Sequence, residues 1–462
     1  MPIWHQIKTP KNNSGKMGIL KTFALGGIHP EENKLSSKAP IEKLAPPKQA
    51  IVPTGQNLGA PSKPLVKRGD TVKVGQLIAE ASGFISTNIH SPVSGKVLKI
   101  DNVIDGTGYK RPGIIINVED DEWMDDIDRS EKLLTKIDLD GKAIIEKIKN
   151  AGLVGMGGAT FPTYVKLMPP PGKTAEYLII NGVECEPYLT SDHRLMLEKG
   201  AEILVGTQIL MKALNVKKAI IGIENNKPDA IKHMQELLKS FDGISVQALK
   251  VQYPQGGEKQ LIKAVVNREV PSGKLPIEVG CVVQNVGTAF AVYEAVQKNK
   301  PLIDRVVTIT GKAVKKPSNF LVRIGTPINQ LIEAAEGLPD STGKIIGGGP
   351  MMGKAITSTD IPVVKGSSGI LLMKKEESQR KTESPCIRCS KCTYVCPMGL
   401  EPFLLSKASK LGKFEIAEDE KIMDCIECGS CQYTCPASIP LLDYLRLGKN
   451  KVGAIMRNRG RN

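Results

Sequence analysis

Eight of the ten cysteines fall between residues 386 and 435, and their spacing constrains this chain more than any other feature. The segment reads Cys386-x-x-Cys389-x-x-Cys392-x-x-x-Cys396-Pro397 and, offset by 39 residues, Cys425-x-x-Cys428-x-x-Cys431-x-x-x-Cys435-Pro436. Each iron of a [4Fe–4S] cubane takes one thiolate, and two-residue gaps let three thiolates of one loop converge on three irons. In a doubled run the fourth cysteine ligates the other cluster. The spacing therefore assigns Cys386, Cys389, Cys392 and Cys435 to one cluster, and Cys425, Cys428, Cys431 and Cys396 to the second. The proline after each run turns the chain away from helix. The match extends to Ile387 with Ile426 and Tyr394 with Tyr433, so the segment is an internal duplication.

Zinc and disulfides are the competing readings. Structural zinc usually takes separated Cys-x-x-Cys pairs, which these runs lack. Disulfides belong to secreted chains, and the first 23 residues lack the apolar core of a signal peptide. Two clusters in one domain point to electron transfer in a reducing compartment. No apolar run approaches the roughly 20 residues that span a bilayer, so the expectation is a soluble or peripheral protein with no transmembrane segment of its own. A length of 462 residues suits several domains. The net charge of +15 comes with only 4% aromatics and no recognised nucleic-acid module, so no nucleic-acid partner is expected. Scattered lysines make a solvated surface, and they also suit an anionic membrane face or acidic redox carriers.

Residues 1–28 read as an irregular arm, and 29–118 as short strands between Gly/Pro turns. Segments 66–78 and 91–97 resemble the two halves of a biotinyl/lipoyl-type barrel. Its central hairpin, Ile78 to His90, contains no lysine, which excludes a swinging arm and leaves an architectural or docking module. His29 and His90 read as structural hydrogen-bonders. Residues 119–128 are an acidic linker. Asp140 then caps a helix bearing Ala143, Ile144, Ile145 and Ile148, and Gly152 stops it.

A glycine-rich loop follows: Gly152-Leu153-Val154-Gly155-Met156-Gly157-Gly158-Ala159-Thr160-Phe161-Pro162, with Lys166 just beyond. It is no dinucleotide fingerprint, because a helix precedes it and Thr160 stands where the last glycine belongs. Its bare backbone suits a flat ring or a phosphate. A buried-strand pattern at 177–180 then delivers Asn181-Gly182-Val183-Glu184-Cys185-Glu186-Pro187 to its carboxyl end, where ligands of open α/β sheets gather. Further units at 219–223, 229–239 and 246–251 extend such a sheet. Gly256-Gly257-Glu258 and Gln284-Asn285-Val286-Gly287-Thr288 each open a helix. Asp192 reads as a helix cap, Cys185 as no necessary ligand and Cys281 as core. Segments 306–311, 320–324 and 328–336 form a compact αβ unit, followed by the turn Gly347-Gly348-Gly349-Pro350, read as unfilled. Residues 374–383 link to the cysteine segment, where Leu404, Leu405, Ala408 and Leu411 have helical spacing. The last residues, 449–461, read as a flexible basic tail.

The order glycine loop, Asn-x-x-Glu-x-Glu-Pro, Gly-Gly-Glu and Asn-Val-x-Thr resembles the flavin-bearing NADH subunit of respiratory complex I. Met156 replaces that family's arginine, Thr160 its glycine and Val183 its aspartate. With the barrel in front and two cysteine runs behind, the chain from Phe23 to about Leu447 more closely resembles the RnfC family of the Rnf ion-translocating electron transport complex. The resemblance implies an α/β multidomain fold: an arm (1–28), a β barrel-sandwich hybrid (29–118), an FMN/NADH-binding α/β domain (129–300), a β-grasp module (301–365), a helical two-cluster ferredoxin-type domain (375–447) and a basic tail (448–462). It implies that Gly155, Gly157, Gly158, Phe161 and Lys166 cradle FMN and that Asn181, Glu184, Asn285 and Thr288 hydrogen-bond its ring or ribityl chain. Glu186 and Glu258 are placed on the NAD(H) side. The implied activity is hydride exchange between NAD(H) and FMN, with single electrons passing through two [4Fe–4S] clusters. The implied partners are the other membrane and iron–sulfur subunits, with ferredoxin indirectly, at the cytoplasmic face of the cell membrane. Two rivals are a cobalamin-reductase-like flavoenzyme, whose barrel is expected after the flavin core, and an iron–sulfur electron wire without flavin.

Overall fold

The computed structural model describes residues 20–459. Helix Gly141–Asn150 starts at Asp140, whose carboxylate accepts the Ala143 N–H, and the chain turns out of it at Gly152 with φ +68°. Beyond the glycine loop lies a four-stranded parallel sheet in the order Ile244–Leu249, Ala219–Glu224, Tyr177–Asn181, Cys281–Asn285. Strands Tyr177–Asn181, Ala219–Glu224 and Cys281–Asn285 read as apolar runs because helices cover both faces, whereas the edge strand Ile244–Leu249 carries Ser245 and Gln247. Leu178 and Ile180 pack with helices Gly200–Leu214 and Val286–Gln297, whereas Ile179 packs with Leu261 and Val265 of helix Glu258–Val266. The first strand is internal, so strand order reverses between Tyr177–Asn181 and Cys281–Asn285. In open α/β sheets ligands bind at such a switch point, outside the carboxyl ends of the strands. Cys281 is fully buried, as expected.

The N-terminal barrel is a sandwich. Strands Gln49–Pro53, Lys110–Val118, Gly95–Ile104 and Thr71–Val72 form one sheet, and Lys63–Pro64, Leu77–Glu80 and Ile89–His90 the other. Ala50, Val52, Ile78, Ile89 and Ile116 fill the space between them. A third sheet has six strands in the order Ile41–Lys43, Ser318–Arg323, Asp304–Thr310, Gly369–Lys374, Thr342–Gly347, Lys354–Ala355, with helix Ile328–Ala334 on its core.

Several expected boundaries shift because distant segments complete these sheets. Strand Ile41–Lys43, inside the span read as barrel, pairs in parallel with Asn319, Phe320 and Leu321. Strand Gly369–Lys374, beyond the expected end at 365, lies inside the six-stranded sheet. Of the expected arm, residues 1–19 lie outside the described residues. Residues 20–28 run along the parallel sheet, where Lys21 bridges to Leu249 and Ile28 to Tyr253. The acidic stretch 119–128 is a clasp rather than a free linker, since Asp121 pairs with Arg323 at 3.3 Å and Asp128 with Lys298 at 2.7 Å.

In the cysteine domain, helices Pro402–Lys410, Phe414–Asp419 and Leu441–Arg459 pack together through Leu405, Ala417, Leu445 and Val452. The basic tail is therefore helical as far as Arg459, held because Val452 and Gly453 are buried and Lys449 donates to the Cys425 carbonyl at 2.5 Å. Among the described residues, no helix is long and apolar enough to cross a membrane.

Candidate functional site

The strand pairing sets Asn285 directly beside Asn181 at the carboxyl ends of the two switch-point strands. Asn181 donates to the Gly256 carbonyl at 2.9 Å, which ties the Gly256-Gly257 turn to the same place. Asn285 donates to the Asn181 carbonyl at 3.3 Å, while its side-chain oxygen caps helix Val286–Gln297 by accepting the Gly287 N–H at 2.7 Å. The glycine loop folds over this pair. Gly155 N–H bonds the Phe161 carbonyl at 2.7 Å, and Met156 N–H bonds Thr288 Oγ1 at 2.9 Å. Gly157 has φ +73°, and a Cβ on it would lie 3.0 Å from Asn285 Nδ2. A Cβ on Gly158 would meet nothing within 4 Å. Gly155, Gly157, Gly158, Phe161, Asn181, Asn285 and Thr288 are thus brought together. Gln284, the residue before Asn285, is buried with both amide atoms unpaired among the described residues. Bare backbone, open space at Gly158 and an unsatisfied amide at the same strand end fit a planar, polar ring system.

The charged residues divide differently from expectation. Lys166 pairs with Glu258 at 2.7 Å and donates to the Val283 carbonyl at 3.1 Å, so the expected flavin-side cation and nicotinamide-side anion meet at the crevice. Glu184 does not face the glycine loop. Its carboxylate accepts the Asp192 N–H at 2.8 Å, the His193 N–H at 3.1 Å and the Ser191 hydroxyl at 3.2 Å, filling the N-terminus of helix Ser191–Glu198. Unpaired N–H groups and the positive end of the helix dipole account for that preference. Asp192, expected to cap, instead accepts from Asn285 Nδ2 at 2.6 Å. Burial and the neighbouring Glu184 push its carboxyl up to about 7.

Glu186 is also redirected. Its Oε1 accepts the Met351 and Met352 N–H groups at 2.9 and 2.8 Å, so the triple-glycine turn, expected to stand unfilled, closes on a carboxylate of this chain. A Cβ on Gly349 would lie 2.1 Å from Glu186 Cγ. Burial raises the Glu186 carboxyl to about 7. Sequence reasoning missed Arg305, a buried strand residue whose guanidinium reaches Met156 Sδ and the Ser367 carbonyl and lies in the field of Asp192. Its only signal is the odd methionine in the loop, which a cation from another sheet approaches.

The barrel hairpin that lacks a lysine docks beside the glycine loop. Phe84 sits edge-on to Tyr164 at 6.2 Å and accepts its hydroxyl, and Leu58 N–H bonds the Thr160 carbonyl at 3.1 Å. Lys365, fully buried, donates to the carbonyls of Asn88 and Gly152 at 2.7 and 2.6 Å, and burial lowers its ammonium to about 7. His90 is held neutral, near 3, by burial and by Lys365.

Cys396, Cys425, Cys428 and Cys431 line one cavity. Burial first and the neighbouring thiolates next push Cys425 up to about 11 and raise Cys428 and Cys431. Four such sulfurs stay ionised only around a compensating cationic centre, which fits an iron cubane. Burial first, with Cys435 nearby, raises the Cys392 thiol, while Cys386 and Cys389 are exposed on an irregular segment. Among the described residues, no three His, Cys, Asp or Glu side chains converge tightly enough for a single metal ion. A cubane spreads its thiolates around a larger body. The Cys425–Cys431 run faces the flavin-side sheet. Tyr253 Oη donates to the Cys428 carbonyl at 2.7 Å, and Ile28, Tyr253, Met351, Cys185 and Ile426 pack around Cys428. Burial raises the Cys185 thiol, as suits packing and not ligation.

Residues 148–294 match the family model of the Nuo51 FMN-binding domain, 21–122 the RnfC barrel sandwich hybrid domain, 306–355 the SLBB domain and 378–436 a 4Fe-4S dicluster domain. Over 438 residues the chain is 48% identical to the RnfC-type component of the proton-translocating ferredoxin:NAD(+) oxidoreductase complex of Clostridium ljungdahlii, covering 94% of both chains. The chain belongs to the RnfC family. Other RnfC relatives include the corresponding component of the Na(+)-translocating ferredoxin:NAD(+) oxidoreductase complex of Acetobacterium woodii, 44% identical over 92% of this chain and 96% of that one. The corresponding component of the ion-translocating oxidoreductase complex of Rhodobacter capsulatus is 42% identical over 94% and 84%. The expected architecture holds in order: barrel-sandwich hybrid, FMN-binding α/β domain, β-grasp-type SLBB module and two-cluster [4Fe–4S] domain. The barrel precedes the flavin core, against the cobalamin-reductase arrangement.

Proposed function

We propose that this chain is the NAD(H)-handling electron-transfer subunit of an ion-translocating ferredoxin:NAD+ oxidoreductase complex. One observation carries the reading: the glycine loop stands over the Asn181–Asn285 pair at the switch point, and the same domain packs through Tyr253 onto the cysteine cavity. When bound, FMN exchanges hydride with the nicotinamide and electrons singly with iron–sulfur clusters, which bridges a two-electron and a one-electron chemistry. The residues serve binding and orientation. Gly155, Gly157 and Gly158 let backbone reach the ring face, Phe161 shapes the loop, and Asn181, Asn285 and Thr288 fix its edge. Lys166 and Glu258 form a charge pair at the mouth, and Asp192 and Arg305 lie beneath the loop. Glu184 and Glu186 act through the backbone they hold. Cys386, Cys389, Cys392 and Cys435 would hold one cluster, and Cys396, Cys425, Cys428 and Cys431 the other. The chain would sit peripherally on the cytoplasmic side of its membrane partners, with ferredoxin meeting another subunit.

Anaerobic purification followed by iron, zinc and extractable-flavin analysis and NADH-driven dye reduction tests this. FMN, iron and NADH-dependent reduction are expected together. Iron without flavin and without dye reduction would establish the electron-wire reading, and zinc in place of iron would remove both.

A further inference from the structure

We infer that the loop from Cys386 to Tyr394 is a docking surface for an acidic protein face that carries its own one-electron group. The argument comes from the internal duplication and rests on the two-cluster reading above. The two runs share backbone as well as sequence: Arg388 and Glu427 have φ of +54° and +57°, and Ser390 and Gly429 have +59° and +79°. They are two copies of one loop, yet they are covered unequally. Val395 and Cys396 at the end of the first run are packed against the N-terminal strap and the cavity, whereas its stretch from Cys386 to Tyr394 is not. Ile426 packs with Ile28, Tyr253 and Met351, and Cys428 beside it is buried. Their counterparts, Ile387 and Cys389, face solvent, with Ile387 67% exposed, while the tyrosines Tyr394 and Tyr433 are exposed in both copies. The same apolar side chain thus serves an interface in one copy and stands uncovered in the other.

Charge says what covers it. Where the closed copy has Glu427, paired with Arg446 and Lys449 at 3.2 and 3.3 Å, the open copy has Arg388. Where the closed copy has the buried Ser430, the open copy has Lys391. Among the described residues, Arg388, Lys391 and the nearby Lys381 form no ion pair, whereas Arg380 and Lys410 are matched by Asp443 and Glu383. A partner with apolar contacts ringed by carboxylates completes the surface. Such complementarity steers association and fixes orientation.

The test uses the assembled complex, purified from cells in which a photo-cross-linking amino acid replaces Ile387 or Tyr394. The same group at Tyr109, exposed on the barrel, is the control. The expected product is a cross-link from 387 and 394, absent at 109, to a net-acidic segment of a cofactor-bearing subunit. Its yield falls several-fold at roughly 1 M salt, where the screening length is about 3 Å. The charge-reversed pair Arg388→Glu with Lys391→Glu should lower co-purification at least tenfold while iron content and the cluster spectrum persist. Cross-links to lipid only, to a second copy of this chain or to no polypeptide overturn the proposal. So does binding of the isolated chain to phosphatidylglycerol vesicles that is lost in the charge-reversed pair. Iron measured on the same preparations separates the failures. Iron retained without the cross-link sinks the docking surface alone, and iron absent from the unsubstituted chain sinks the two-cluster reading.

Discussion

Glu184 holds its backbone at φ +44°, a region costly for a residue with a Cβ, and in return its carboxylate meets two N–H groups and a hydroxyl at a helix start. Removing it in Glu184→Ala should cost roughly 1–2 kcal/mol locally. Amide exchange at Asp192 and His193 would then quicken by about tenfold or more, and unchanged exchange would contradict the cap. Glu186 is a pH-sensitive counterpart. Its carboxyl, ordinarily near 4.5, is raised to about 7, so the folded chain keeps a proton that the unfolded chain releases. Stability from this group is therefore fully present below about pH 4.5 and is lost as pH rises towards about 7. Glu186→Gln keeps an oxygen for Met351 and Met352 and removes the titration. Its unfolding temperature should gain on the parent between about pH 5 and pH 8, and a gap that does not change with pH would refute the assignment. Neither role was legible in the sequence. A carboxylate in a strand-end motif looks the same whether it faces a ligand, a helix start or a turn 165 residues away.

The glycine loop was legible as an element because four glycines in seven residues leave few other uses. Its two central glycines make separable predictions. Gly157→Ala meets both a positive φ and the Asn285 amide, so it should weaken stability and flavin retention together. Gly158→Ala meets open space in the protein alone. It should leave the unfolding temperature nearly unchanged while raising the FMN dissociation constant tenfold or more, as measured by fluorescence titration. Equal FMN affinity would place the ring elsewhere. The parallel strands were readable from apolar runs, and Cys281 as core, because burial on both faces writes itself into composition. The helical tail was missed because its basic residues hide the spacing of Leu441, Leu445 and Val452. Strand Ile41–Lys43 was missed because three residues carry no periodicity and its partner strand lies far along the chain.

At the scale of the molecule, residues 20–43 act as a strap that no local pattern announces. Lys34 donates to the carbonyls of Glu184, Glu186 and Leu189 at 2.8, 2.9 and 2.7 Å, and Gly27 N–H bonds the Val395 carbonyl at 3.0 Å. The strap ties the crevice loop to the cysteine domain and passes on into the six-stranded sheet. Lys34→Met would strand three carbonyls, a loss on the order of 3 kcal/mol. The expected outcome is faster proteolysis of the 183–190 loop and reduced flavin content with iron unchanged, and normal flavin content would show that the strap is incidental to the crevice. All of these contacts serve one arrangement, a flavin crevice and a pair of cubane sites held in a single packed chain. Anaerobic NADH titration of the isolated chain, followed by optical and electron paramagnetic resonance spectroscopy, tests that arrangement most directly. Bleaching of flavin absorbance together with signals from two reduced [4Fe–4S] clusters is the predicted result, and flavin bleaching with both clusters left oxidised at every NADH concentration would contradict it.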